Sequence, residues 1–144
     1  MSELIPNFKQ PTADVATGGQ PSLDQLARVS DYGFRSILNL RPATENAGLD
    51  EHAEVVRLGM KYHHLPVATA NDLTRSAAAE LGRILGDKAN LPILVHCGSG
   101  NRVGALFALR AAWIDGASTE HAIKLGQQYG LTKMEEDVRR ILEK

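Results

Sequence analysis

The sequence predicts an α/β fold: one domain whose mostly parallel central sheet of four to five strands is flanked by helices. Three observations carry that reading. Four short apolar runs of strand length recur along the chain, each is followed by a stretch with helical spacing, and 144 residues leave room for one sizeable core.

Residues 1–13 hold two prolines among scattered polar groups and read as an irregular lead-in to a domain spanning 14–144. Strand signals begin near Val15 and stop at Gly18-Gly19. Ser22 is the expected N-cap of a helix carrying Leu23, Leu26 and Val29, which Gly33 closes. The run FRSILNL, residues 34–40, is a buried strand ended by Arg41-Pro42. From Glu45 to Leu58, the positions of Leu49, Ala53, Val56 and Leu58 predict a second helix with Gly59 as its stop. KYHHLPV, residues 61–67, is a third strand, and Leu73, Ala77, Leu81, Ile84 and Leu85 place a helix between Leu73 and Lys88. Pro92 introduces the strand ILVH. Beyond the next turn, VGALFALRAAWI is apolar on almost every side, as a central helix must be. Asp115-Gly116 breaks it, and two more helices follow at 119–129 and 133–143, separated by Gly130.

Composition narrows the function. With 43% hydrophobic and 23% charged residues, the chain has the makeup of a folded globular domain rather than a disordered or fibrous one. Sixteen Lys and Arg against seventeen Asp and Glu leave no global basic field, so nucleic acid is not an expected partner. No stretch approaches a membrane span, and the N-terminus lacks a basic region followed by an apolar core, which together with one free cysteine gives the expectation of a cytoplasmic protein. The single cysteine excludes an internal disulfide and a multi-cysteine zinc site.

The chemistry is concentrated in VHCGSGNRVG, residues 95–104, where the only cysteine ends a buried strand just before a helix. Peptide N–H groups in such a glycine-rich turn curl into an anion-binding nest, and the helix start adds unsatisfied donors. The same field favours thiolate, which makes Cys97 a candidate nucleophile. Arg102 offers a planar fork for two oxygens of a bound phosphate. Gly98 and Gly100 supply positive φ angles and close backbone approach, Ser99 and Asn101 add short polar groups, and His96 is expected to brace the loop. Arg41, at the carboxyl end of the second strand, is placed either to touch substrate or to cap the turn beside Pro42.

The loop HCGSGNR, residues 96–102, resembles the signature of cysteine-dependent phosphatases of the dual-specificity type. Together with GGQPS at 18–22, GFRSILNLRP at 33–42 and HLPV at 64–67, it is similar to the bacterial phosphatase-like family that includes beta-lactamase-hydrolase-like proteins. The resemblance spans roughly residues 14–115. It implies a cysteine-dependent phosphatase-like fold and a two-step transfer: Cys97 attacks phosphorus, Arg102 and the amides of Gly98, Ser99, Gly100 and Asn101 cradle the oxygens, and water frees the cysteine, with no metal or other cofactor. The substrate is then a phosphorylated protein or small molecule. By the same resemblance Asp72 holds the place of the general acid, although Asn71-Asp72 before an apolar run is equally a helix start.

Two departures stand out. Four residues rather than five separate Cys97 from Arg102, and Val103 occupies the position where a serine or threonine helps the thiolate leave. The short spacing also resembles rhodanese-type sulfurtransferases, in which Cys97 would carry a persulfide. A third reading is a catalytically inactive phosphate-binding module.

The remaining candidates favour structure. His63 and His64 point to opposite faces of a strand, and His52 and His121 lack ligand partners at metal spacing. Leu106, Phe107 and Trp113 belong to the core, and the mixed charges of 134–140 form a solvated face. Neither a nucleotide P-loop ending nor a complete G-x-G-x-x-G is present.

Overall fold

A computed structural model describes residues 4–45, 48 and 50–143. Its elements run β1 (Val15–Gly18), α1 (Leu23–Asp31), β2 (Ser36–Asn39), α2 (Glu51–Arg57), β3 (Lys61–His64), a 3-10 turn (Ala70–Asp72), α3 (Arg75–Leu85), a second 3-10 turn (Lys88–Asn90), β4 (Ile93–His96), α4 (Asn101–Trp113), α5 (Thr119–Gln128) and α6 (Glu135–Leu142). The four strands form one sheet in the order β1-β4-β2-β3, with every neighbouring pair parallel.

Alternation along the strands divides the interior into two layers. Ala16, Ile37 and Leu94 face α1 and α2, where Leu26, Val29 and Val55 meet them. Val15, Leu38, Ile93 and Val95 face the other side and pack with α3 through α6. The chain leaves β1 and β2 toward one layer and β4 toward the other, so the carboxyl end of β4 stands at a topological switch point, where open α/β sheets bind their ligands. Helix α4 is buried along Val103–Leu109 because it packs between α3 and α5, which explains its apolar character on nearly all sides.

Ser22 caps α1 in a reciprocal box with Gln25, and Gly33 follows that helix at φ +96°. The irregular lead-in is stitched to the fold. Leu4 and Ile5 are buried against the α1 and α2 layer, and Lys9 exchanges two backbone hydrogen bonds with Thr17.

The second helix departs most from its expected form. It starts at Glu51 rather than Glu45 and buries Glu51 and Val55, leaving Ala53 and Val56 exposed; Leu49 lies outside the described residues. Glu45 is instead drawn out of helical register by two arginines, and the face of α2 is set by the need to bury Glu51 against His96. Asp72 is not the cap of α3 either. Thr74 takes that role, and Asp72 closes a capping box with Thr69 in the 3-10 turn. His64 is exposed and His63 half-buried, as opposite faces require. Along 134–140, Arg139 pairs with Glu120 and Glu135, and Arg140 with Asp137.

Candidate active site

Strand β4 is buried at all four positions, and Cys97 follows it with no exposed surface. The turn reverses at Gly100, whose φ of +97° is one that glycine adopts without strain, and Asn101 opens α4. The reversal carries the Gly100 N–H back onto Cys97 Sγ at 3.1 Å, so the nest donates directly to the sulfur. Gly98 does not share the positive φ expected of it; what it supplies is space, because a Cβ there would stand 3.1 Å from an Arg102 guanidinium nitrogen.

Three segments hold the loop in place. From the GGQPS run, the Gln20 N–H donates to Gly98 O at 3.2 Å, and a Cβ on Gly19 would meet that same oxygen at 2.6 Å. From the lead-in, Asn7 Nδ2 donates to Ser99 O at 2.9 Å. From the turn between α5 and α6, the N–H groups of Thr132 and Met134 donate to Asn101 Oδ1. Asn101 thus anchors the loop rather than presenting its side chain to a ligand.

Arg102 reaches back over the loop. Its two terminal nitrogens donate to Glu45 Oε2 and Oε1 at 2.8 and 2.9 Å, and one of them also donates to Val67 O at 3.0 Å. This fork on Glu45, and secondarily the neighbouring Cys97, hold the guanidinium charged even more firmly than usual, against the opposing cost of burial. The reciprocal bond from Arg102 keeps the Glu45 carboxyl below the ordinary carboxylate range despite the raising effect of burial, with Arg41 adding to it. The guanidinium also lies beside Cys97, whose sulfur is among its hydrogen-bonding and electrostatic partners. Glu45 thus holds the end of the fork over the cysteine loop.

A chain of side chains runs from that arginine to the floor of the loop. Arg41 Nε donates to Glu45 Oε1 at 3.2 Å, and Arg41 NH1 donates to Gln20 Oε1 at 2.8 Å. Gln20 Nε2 donates to Glu51 Oε1 at 2.7 Å, and His96 Nε2 lies 2.5 Å from Glu51 Oε2. His96 Nδ1 stands 3.3 Å from Cys97 O, so both ring nitrogens face oxygens. Burial works to raise the Glu51 carboxyl, but the hydrogen bond from His96 and the lesser contributions of Gln20 and Arg41 outweigh it and leave it below its ordinary value. Glu51→Ala is expected to cost about 3–5 kcal/mol of stability, because it strands a buried histidine, whereas Glu51→Gln is expected to cost less; chemical denaturation of the two variants checks this.

The sequence-derived site residues therefore divide. Cys97, Gly98, Ser99, Gly100, Arg102 and His96 are brought together. Arg41 lies one residue removed, on the other side of Glu45, and lines with it a cavity of about 630 Å³ that also includes Gln20, Glu51, His52 and Tyr62. His52, expected to be an ordinary surface residue, stacks on Tyr62 there with ring centroids 4.5 Å apart. Asp72 forms no hydrogen bond or ion pair with Cys97 or Arg102. Its Oδ2 accepts from the N–H groups of Ala68 and Thr69, in the segment that Arg102 grips at Val67. Val103 is buried in the core. Sequence reasoning missed Glu45, Gln20 and Glu51 as site residues. The available signal was position, since Gln20 and Glu45 both lie just beyond the carboxyl ends of strands. Among the described residues, no group of three or more His, Cys, Asp or Glu is placed to hold a metal ion.

Comparison with known proteins agrees with this architecture. The Xylella fastidiosa (strain Temecula1) beta-lactamase hydrolase-like protein is 34% identical over 121 residues, covering 81% of this chain and 27% of that protein; the chain thus spans about a quarter of the length of this curated relative. Among solved structures, a Neisseria meningitidis Z2491 protein superposes with TM-score 0.77 at 21% identity, covering 97% of each chain. The core catalytic domain of the PP-IP phosphatase SIW14 from S. cerevisiae, in complex with citrate, gives TM-score 0.71 at 21% identity over 98% of this chain and 87% of that one. These likenesses show a shared fold. Residues 7–114 match the family described as beta-lactamase hydrolase-like protein, phosphatase-like domain, and it is to this family that the chain belongs.

Proposed function

We propose that this domain is a cysteine-dependent phosphatase that hydrolyses phosphate monoesters of a protein or small molecule. The observation that carries the reading is the convergence, within one strand-to-helix turn, of the Cys97 sulfur, the Gly100 N–H aimed at it and the Arg102 guanidinium beside it.

In the first step the Cys97 thiolate attacks phosphorus, the S–P bond forms, and the ester P–O bond breaks with its electron pair leaving on oxygen. The Arg102 guanidinium and the loop amides hold the non-bridging oxygens as they gain charge. In the second step water attacks phosphorus, the S–P bond breaks and phosphate departs. Val103 offers no hydroxyl to the departing thiolate. The Gly100 N–H, 3.1 Å from the sulfur, supplies that stabilisation.

Asp72 is the carboxylate on the segment that Arg102 anchors, and only one of its oxygens is engaged by Ala68 and Thr69. In this reading it protonates the leaving oxygen and then takes a proton from water. Asp72→Asn is expected to lower kcat by roughly 10²–10⁴-fold for aryl phosphates with poor leaving groups while changing p-nitrophenyl phosphate turnover far less. An equal loss for both substrates would mean that Asp72 only holds its loop. The test of the function itself is release of inorganic phosphate from p-nitrophenyl phosphate by the wild-type domain.

A further inference from the structure

Two lysines unused by the chemistry flank the outer side of the loop. Lys9 is fixed to the sheet by its pair of backbone hydrogen bonds with Thr17. Lys133 follows Thr132, which Asn101 holds through both its N–H and its hydroxyl. Both lysines are exposed, and neither forms an ion pair among the described residues. They share a cavity of about 420 Å³ with Asn7, Phe8, Ser99, Gly130 and Thr132.

The position and polarity of this cavity matter. Ser99 belongs to the cysteine loop, and two residues of chain span at most about 7 Å, so the cavity wall begins within that distance of Cys97. Among the described residues no carboxylate lines it, whereas the cavity of about 630 Å³ beside Arg41 carries Glu45, Asp50 and Glu51. Half-buried Phe8 packs on the core and gives the cavity an apolar wall. Two lysines that form no ion pair among the described residues, beside a phosphate-binding loop, form a second place for negative charge.

Resting on the phosphatase reading, we propose that this cavity receives a second anionic group of the substrate, held between Lys9 and Lys133 while the scissile phosphate sits on the cysteine loop. The substrate class is a phosphate monoester that carries another phosphate or carboxylate a short distance away. That group belongs either to a small bisphosphate or to an acidic side chain next to a phosphorylated residue.

The test uses calorimetric binding to Cys97→Ser, which does not depend on turnover. One series pairs α,ω-alkanediol bisphosphates of increasing length with the matching alkyl monophosphates. A second series pairs phosphotyrosine peptides bearing flanking glutamates with their alanine counterparts. In at least one series the doubly anionic member is expected to bind about tenfold more tightly, and adding Lys9→Ala and Lys133→Ala is expected to abolish that preference. Preference confined to the bisphosphates identifies a small molecule, and preference confined to the peptides identifies a protein substrate. Absence of preference in both series, or preference that survives loss of both lysines, overturns the proposal. Wild-type and doubly substituted Lys9→Ala/Lys133→Ala protein are also assayed with p-nitrophenyl phosphate, which has no second anion. Equal rates show that the loop is intact, and no turnover by wild type counts against the phosphatase reading separately.

Discussion

Replacing Cys97 with serine is expected to remove hydrolysis of an aryl phosphate, by a factor of at least about 10⁴, while leaving the folded domain and its affinity for a phosphate monoester largely in place. The physical reason is the difference between the two nucleophiles. Sulfur is both the better nucleophile and the better leaving group, and the loop directs the Gly100 N–H and the Arg102 cation toward it. Cys97 is buried at the end of a strand, and serine differs from it by one atom, so thermal denaturation should move little. Binding of a non-hydrolysed aryl phosphate to the variant, set beside its kcat, separates lost chemistry from lost structure.

The second large effect concerns the arginine and the carboxylate that aims it. Arg102→Ala is expected to lower kcat/KM by about 10²–10³-fold, because it removes a charge placed where the transferring phosphoryl group gains negative charge. Arg102→Lys should recover little of this, since an ammonium can neither hold two oxygens of Glu45 nor present a second edge to phosphate. Glu45→Gln tests aim rather than charge at the reacting centre. It retains size but loses the two-oxygen acceptor shared by Arg102 and Arg41, and roughly a tenfold loss, chiefly in kcat, is expected. The carboxylate acts as this brace only when ionised. Because Arg102 holds its pKa below the ordinary value of 4.5, the brace is complete above that value and is lost as pH falls through the lowered one. The Glu45→Gln variant should therefore lack the part of the acid limb of the pH–rate profile that belongs to this group. An unchanged rate in that variant would show that Arg102 keeps its position without Glu45.

How far the sequence revealed these features depended on how local their causes were. The four strands were legible because each is a short apolar run bounded by turn residues, and the cysteine loop because its glycines, cysteine and arginine lie within six residues. The start of α2 was not legible. Glu45 sits in a stretch with acceptable helical spacing, and only arginines brought in from the end of β2 and the start of α4 draw it away. The Glu51–His96 contact spans 45 positions, so no window on the sequence contains both partners, and the buried face of α2 follows from that contact. Asp72 shows the same limit on a smaller scale. Its carboxylate turns back on its own loop, because Thr74 is the better-placed cap for α3. Nor could the short Cys-to-Arg spacing by itself show that the loop turns the Gly100 N–H back onto the Cys97 sulfur.

The most direct measurement is intact-protein mass spectrometry of wild type and Cys97→Ser after brief exposure, in parallel, to an aryl phosphate and to thiosulfate, with released phosphate and thiocyanate assayed alongside. Phosphate release that depends on Cys97, with a transient phosphate adduct on the wild-type chain and no thiocyanate, is the expected outcome. A persulfide on Cys97 accompanied by thiocyanate, or phosphate release undiminished in Cys97→Ser, would contradict the assignment of Cys97 as a phosphatase nucleophile.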